Sequence, residues 1–584
     1  MRIIRIAAFL IIVAHLLLPR TALLAQTNLK EVTFHAPVDI PMYLSGNFGE
    51  IRSTHFHTGI DIKTQGKTGF KIYSIDEGYI SRIKIQAGGY GNAIYITHPN
   101  GYTSVYGHLK SFRDDLQSYT LNSQYSKSKF EINLFPPKDK FRVKKGEWFA
   151  LSGNSGRSGG PHLHFEIRDT RSEHPLNPLL FNFDIKDNIQ PKIHRLAVYP
   201  MQEDSRVNGL KQEIFFKPSK SIGTYVFPQD DTIQVWGEIG FGISANDYLN
   251  GSSNRCGLYT IELWIDSTKV YESRLDELDF GELRNVVSHI DYKTKRKKGI
   301  TIQKSFIDPN NQLSIYSDLP ANSSAMFRED EKVSDILYVL KDAHGNKTEF
   351  SFHVKTAKPE LHSMISQRNI YVQAMPYIQS NLFVAEGIEI LFPEKCFFSD
   401  LFFNYTKSDD KQGFYSPVHH VHNESTPLLK YYEIQLKADS LPDYLKQKAL
   451  LAYVDTSGGN NRISSMGGSL KNDVLKARIR DFGSFAICVD TIAPEIKPLN
   501  IFNGKRMNKL DKISFKISDD LSGIKSYSAT IDGSWVLFRH DAKKDHIYYL
   551  FSDHKIDRGI EHHIVLEVTD EKNNQSHYNG KFWW

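Results

Sequence analysis

Polar and apolar residues alternate through PHLHFEIRD (161–169), placing His162, His164, Glu166 and Arg168 on one face and Leu163, Phe165 and Ile167 on the other. This predicts a half-buried strand whose polar face lines a site. Its two histidines stand about 6.6 Å apart along the strand, near enough to share that site. A second pattern, NAIYITHPNGYTSVYGHLK (92–110), predicts a hairpin: Ile94 and Ile96 point one way and HPNG turns. Tyr102, Ser104, Tyr106 and His108 then share one face of the return strand. Short alternating segments of this kind outnumber long helical patterns along the chain, so the expected class is mainly β.

The 584 residues exceed one ordinary core. Residues 30–182 form a first glycine-rich unit that carries nearly all the motif-like features. The remainder reads as about three immunoglobulin-like β-sandwiches at 187–357, 360–489 and 490–584. Two of them form a divergent internal repeat. The joints DNIQPKI (187–193) and DTIAPEI (490–496) correspond, as do the stretches from Ile243 and Phe515, and the turns in YVLKDAHGNKTEF and LEVTDEKNNQSHY. The segment 111–141 is longer than a tight connection needs and is expected to wall or cover a cleft.

Residues 1–25, with Arg2 and Arg5 before an apolar run to Leu18, read as a cleaved secretory signal peptide; no cysteine lies near the cut to take a lipid. No later segment is long and apolar enough to span a bilayer. The short stretch before Gly46 gives an expectation of no long inhibitory propeptide. Composition is that of an ordinary globular protein: 40% hydrophobic, 12% aromatic and 24% charged residues. Losing the leader's three arginines lowers net charge from +5 to +2, so basicity argues for no polyanionic partner. No basic stripe with interleaved aromatics suggests nucleic acid. Cys256, Cys396 and Cys488 lie far apart and lack zinc-finger spacing, which makes them buried free thiols.

The candidate chemistry begins at STHFHTGIDIKTQG (53–66). In a straight strand His57 and Asp61 would lie about 13 Å apart, too far to hold one metal ion. HTGIDI is poor helix material, so the remaining route is a bent backbone, which Gly59 permits. His108 can join the polar face of the 161–169 strand. Spacing alone does not say which member of the His162-Leu-His164 pair would bind a metal. Three competing features are weaker. SPVHHVHNE (416–424) puts His420 and His422 on one strand face without further ligands, His562 and His563 point to opposite faces, and GNSGRSGG (153–160) lacks the Lys-Ser/Thr ending of a phosphate loop. The glycines of that last stretch would let a peptide substrate approach the backbone.

The order His57-Thr-Gly-Ile-Asp61, Tyr106-Gly-His108-Leu, Gly160-Pro-His162-Leu-His164-Phe resembles the lysostaphin-type (LytM-like) zinc endopeptidases. GNFGEIR, YSIDEGYI, GGYGNAIYITH and VKKGEWFALSGNSGRSGGPHLHFEIR agree with it. The resemblance covers roughly residues 45–170. It implies a LytM-like β-sheet/barrel with a duplicated hybrid motif and one Zn2+ per chain held by His57, Asp61 and His164. His162 would be the general base, and His108 would position the water or stabilise the tetrahedral intermediate. Tyr106, Asn92 and Gly160 would contact substrate, while Glu166 would shape or hydrogen-bond the cleft. The implied activity is hydrolysis of peptide cross-links in bacterial peptidoglycan by an exported protein, periplasmic or at the cell surface. A protein partner would be met through the sandwiches. The alternatives are a zinc peptidase acting on a protein or on stem-peptide ends, or a non-catalytic scaffold that activates another wall enzyme.

Overall fold

A computed structural model describes residues 29–221, 224–227, 232–317, 323–360, 371–409, 413–455 and 462–584. The expected signal peptide lies outside the described residues. The chain is mainly β, as the alternation predicts. Among the described residues no helix is long and apolar enough to cross a membrane.

Among the described residues the N-terminal domain contains twelve strands and one α-helix. They are β1 (Leu44–Gly46), β2 (Ile60–Lys63), β3 (Lys71–Tyr73), β4 (Gly78–Ile85), β5 (Asn92–Thr97), β6 (Tyr102–Gly107), β7 (Ser111–Phe112), α1 (Asp114–Lys127), β8 (Ile132–Leu134), β9 (Arg142–Val143), β10 (Trp148–Leu151), β11 (His162–Asp169) and β12 (Pro175–Leu176). A nine-stranded sheet runs β1-β2-β11-β6-β5-β4-β8, with β12 on β11 and β9 on β4; β3-β10-β7 form a smaller sheet. The β5–β6 hairpin turns through residues 98–101 as expected, with Gly101 at φ 87°.

Strand β11 is central, and its register decides what faces the site. Phe165 pairs with Ile60 and Tyr106, while His164 pairs with Asp61 and Gly107. Because side chains alternate, Ile60, Tyr106 and Phe165 enter one apolar core with Ile94, Ile96, Phe149 and Leu163. Asp61 and His164 project from the opposite face. That face is also buried: Glu166 and Arg168 are 0% and 5% exposed, so the expected half-buried strand is covered on both sides.

Beyond residue 190 the chain is again strand-rich. A 12-stranded sheet spans residues 192–356, two five-stranded sheets fall within 381–489, and a four- and a five-stranded sheet lie within 495–583. Cys256, Cys396 and Cys488 are free and buried, as expected.

Two segments differ from expectation. The 111–141 connection is not an open loop: it holds α1 and β8, and Tyr125 of α1 packs edge-on against Trp535, 5.3 Å between ring centroids. It therefore docks on the C-terminal region. Two glycines of GNSGRSGG, Gly153 and Gly156, serve the chain's own packing, while Gly159 and Gly160 face open space. A Cβ at Gly156 would lie 2.2 Å from the Gly91 nitrogen, and one at Gly153 would lie 2.4 Å from the Lys110 nitrogen.

Candidate metal centre

Three donor atoms converge where β2 and β11 meet. His57 Nε2 lies 3.1 Å from Asp61 Oδ1, His164 Nδ1 lies 3.0 Å from the same oxygen, and the two ring nitrogens are 3.1 Å apart. His57 stands before β2 rather than in it, so the 13 Å separation of a straight strand does not arise. Gly59 is what lets the backbone pass: a Cβ there would meet the Phe165 carbonyl oxygen at 2.3 Å. Its φ is not in the left-handed region, so the glycine is needed for close approach to β11 and not for an unusual dihedral.

Each imidazole is aimed by an oxygen acceptor on its other nitrogen. His57 Nδ1–H donates to the Asn47 carbonyl (2.8 Å), His164 Nε2–H to Glu166 Oε1 (2.8 Å), His108 Nδ1–H to the Ser155 carbonyl (2.8 Å) and His162 Nδ1–H to the Gly160 carbonyl (2.8 Å). These bonds fix the tautomers and turn the free nitrogens inward. Asp61 Oδ2 accepts from Arg52 Nη2 at 3.1 Å, leaving Oδ1 at the centre of the cluster. Glu166, fully buried, also accepts from Thr58 and Tyr90 (both 2.6 Å) and pairs with Arg168 at 2.5 Å. The Tyr90 ring stacks on His164 at 4.9 Å.

The electrostatics follow from this packing. Burial would raise the Asp61 carboxyl, but the surrounding imidazoles, His57 first, hold it well below the usual range. Burial alone would lower His164, yet its hydrogen bonds to Asp61 and Glu166 push it up to about 9. Burial, reinforced by His164 and His162, takes His108 down to about 3, so it is neutral at any physiological pH. Arg168 and His164 overcome burial at Glu166 and keep it ionised. Burial raises the Tyr90 hydroxyl well above 10, so it remains a donor.

The donor set fits a small divalent cation. Two imidazole nitrogens and one carboxylate oxygen stand at mutual separations of 3.0–3.1 Å, close enough for one small ion to reach all three at about 2.0–2.1 Å. Three protein ligands would leave a fourth coordination position for water or substrate. His162 Nε2 is 3.3 Å from Asp61 Oδ1, and its ring is 4.7 Å from that of His108. All five sequence-predicted residues thus meet in one cluster.

Of the three expected substrate contacts, Tyr106 lies in the core, while Asn92 and Gly160 stand beside His108 and His162. Tyr106 is fully buried against Phe149 and Phe165, and its hydroxyl accepts from the Ile75 amide, so it belongs to the core. Asn92 spends its side chain on the Leu109 carbonyl (3.0 Å), bracing the His108 turn. Gly160 orients His162 through its carbonyl. His108 does not share the Tyr106 face: it follows the end of β6 with φ 58°, and this left-handed residue swings its ring across to the β11 site face. Arg52, Asn47, Thr58 and Tyr90 were not singled out individually, although GNFGEIR and GGYGNA contain three of them. Asn47 also makes two bonds to Gly257, of 2.8 and 2.7 Å, so the acceptor that aims His57 is clamped by a residue beyond the N-terminal domain.

The fold and this site define a metal-peptidase-like N-terminal domain, and comparison with known proteins agrees. Residues 55–120 match peptidase family M23, and residues 372–490 match a Zu5-like domain. The N-terminal region is therefore an M23-type (LytM-like) domain. The family match takes in His57, Asp61 and His108, while His162 and His164 lie beyond it. DD-carboxypeptidase/endopeptidase Mpg of Neisseria meningitidis serogroup B is 33% identical over 129 residues, covering 22% of this chain and 23% of that protein. An uncharacterized metalloprotease of Haemophilus influenzae is 33% identical over 121 residues, 20% of each chain. A solved zinc containing peptidase from Vibrio cholerae is 26% identical, covers 25% of this chain and 39% of that one, and has a TM-score of 0.19. The catalytic domain of lysostaphin from Staphylococcus simulans is 21% identical, covers 24% and 90%, and has a TM-score of 0.17. The chain spans about a quarter or less of the length of the curated relatives it matches.

Proposed function

We propose that the protein is an exported zinc endopeptidase that hydrolyses peptide cross-links of bacterial peptidoglycan. In this reading an M23-type domain at 30–182 is followed by β-sandwich modules at 187–357, 360–489 and 490–584. The observation that carries it is the triangle of His57 Nε2, Asp61 Oδ1 and His164 Nδ1, each ring aimed from behind by a fixed acceptor. A zinc ion held there supplies a Lewis acid for the scissile carbonyl and lowers the pKa of a bound water.

The chain's own residues do the rest. His162, at the edge of the triangle with Nδ1–H committed to Gly160, offers Nε2 to take a proton and return it to the leaving amine. His108 stays neutral and presents its remaining nitrogen beside His162, where it can orient a water or the developing oxyanion. Burial of the cluster under Tyr90, Thr58 and Glu166 keeps bulk water from the ligands.

The name of the Neisseria relative pairs carboxypeptidase with endopeptidase, which supports a second reading in which stem-peptide ends are trimmed. Digestion of purified cell walls by the full chain, with and without chelator, tests both. Metal-dependent loss of cross-linked muropeptides is the expected result. Loss of terminal residues alone would select the second reading, and no metal-dependent product from any wall would contradict both.

A further inference from the structure

The two repeated joints end in matching clusters of acids. The strand Lys192–Pro200 pairs Lys192 with Asn246, and the strand Glu495–Pro498 pairs Glu495 with Ser518, so Asp247 and Asp519 follow equivalent positions. The joint residues Asp187 and Asp490 each accept from the amide two residues on, Ile189 and Ile492, at 3.0 and 3.1 Å. The hairpin residues Asp342 and Asp570 accept from the Asn346 and Asn574 amides at 2.9 and 2.8 Å. Those asparagines donate from Nδ2 to the joint carbonyls of Asp187 and Asp490, at 3.3 and 3.1 Å. Such atom-for-atom repetition in sequences this divergent points to a shared requirement.

Carboxylate oxygens in these clusters lack partners. The Asp187 side chain is 0% exposed, and its Oδ2 faces His344 Nδ1 at 3.8 Å with no hydrogen bond. Asp247 is 2% exposed with Oδ1 unpartnered, and Asp519 Oδ1 is buried without a partner at the second joint. Ligand atoms of Asp187, Asp342 and His344 lie within 4.8 Å of one another, and so do those of Asp490, Asp519 and Asp570. Burial and the neighbouring acids push Asp187 up to about 7 and Asp247 up to about 8. Two lysines beside the second cluster spend their ammonium groups elsewhere: Lys572 on the Gly468 carbonyl, and Lys448 on the Lys572 carbonyl and Asn574 Oδ1. A buried carboxylate left unpaired is costly, and a cation would relieve that cost in both places.

We propose that each joint binds one calcium ion, through the carboxylates of Asp187 and Asp342, with the unpartnered Asp247 completing the set, at the first and of Asp490, Asp519 and Asp570 at the second. Hard oxygen donors suit calcium or magnesium, and calcium's flexible coordination by several carboxylates at about 2.3–2.6 Å asks less regular geometry of the protein than magnesium's octahedron. Ion binding ties the connecting segment to the strand end and hairpin turn of the module it enters, and so sets the angle between successive modules.

The test is calorimetric titration of CaCl2 into the full chain, freed of calcium and supplied with one equivalent of zinc, together with melting curves. The expected result is two calcium ions per chain. Asp247→Asn removes one, Asp519→Asn removes the other, and the double variant removes both. Calcium raises the melting temperature of the parent by several degrees and leaves the double variant unmoved. In calcium-free buffer the variants melt at or above the parent, because repulsion is relieved; a purely structural role would make them melt lower. Should either variant fail to fold, Asp342→Asn and Asp570→Asn give the same readout. No calcium uptake by the parent, uptake unaffected by the substitutions, or magnesium filling the sites equally well would overturn the proposal.

Discussion

Two histidine-rich stretches in this chain look alike in sequence and differ in what surrounds them. In PHLHFEIRD, His162 and His164 lie on β11 beside Asp61, and each ring has an oxygen acceptor behind it. In SPVHHVHNE, the strand stops at Val421, and His422 takes φ 52°, so it does not share a face with His420. His420 bonds the hydroxyls of Ser408 and Ser484, His419 bonds that of Tyr405, and His422 bonds that of Thr426 and stacks on Phe403. Among the described residues, no three metal-ligating side chains converge in this second group. Burial takes His419 and His422 down to about 4, the behaviour of neutral core histidines. The lesson is that spacing of two imidazoles makes no metal centre. A carboxylate from another strand and acceptors behind the rings do.

The largest effect should come from breaking the first group. His164→Ala is expected to remove bound zinc and to lower cell-wall hydrolysis by at least about 1,000-fold, whereas His420→Ala leaves both unchanged. Metal analysis and product release on the two purified variants check this. Gly59→Ala comes next. Its Cβ would collide with the Phe165 carbonyl, so it should cost roughly 1–3 kcal/mol of stability and loosen the centre, read by melting temperature and zinc content together.

Glu166→Gln sharpens the contrast by weakening the acceptor behind His164 while leaving every ligand in place. Zinc affinity should fall about 10–100-fold in a competition titration. The last effect is on pH dependence. Because His164 is raised to about 9, its proton competes with zinc below that value. Apparent zinc affinity should therefore rise with pH toward 9 and level off above it, by up to about tenfold per unit. His108, lowered to about 3, adds no slope in this range. A titration at pH 6, 7 and 8 that shows a flat profile would contradict this.

Much of the fold and site was legible because β11 is strictly alternating and the β5–β6 turn has its glycine. The convergence of His57 and Asp61 was readable as a need for a local bend at Gly59, although the reason proved to be clearance from Phe165. His108 was not legible by alternation, since a left-handed residue breaks the period-two rule, and for the same reason Tyr106 was assigned to the cleft when it belongs to the core. Helix α1 was hidden because its inward positions include the polar Thr120 and Gln124 rather than an apolar stripe; Gln124 Nε2 donates to the Phe130 carbonyl, while Thr120 Oγ1 is buried without a hydrogen-bond partner. Contacts such as Asn47 with Gly257 join residues 210 apart and have no local signal.

The central claim is that one zinc ion rests on His57, Asp61 and His164. Anomalous diffraction at the zinc edge from crystals of the full chain tests it most directly. The account predicts one peak about 2.0–2.2 Å from His57 Nε2, Asp61 Oδ1 and His164 Nδ1, with His162 outside bonding distance. No peak there, or a peak ligated by His162 in place of His164, would contradict it.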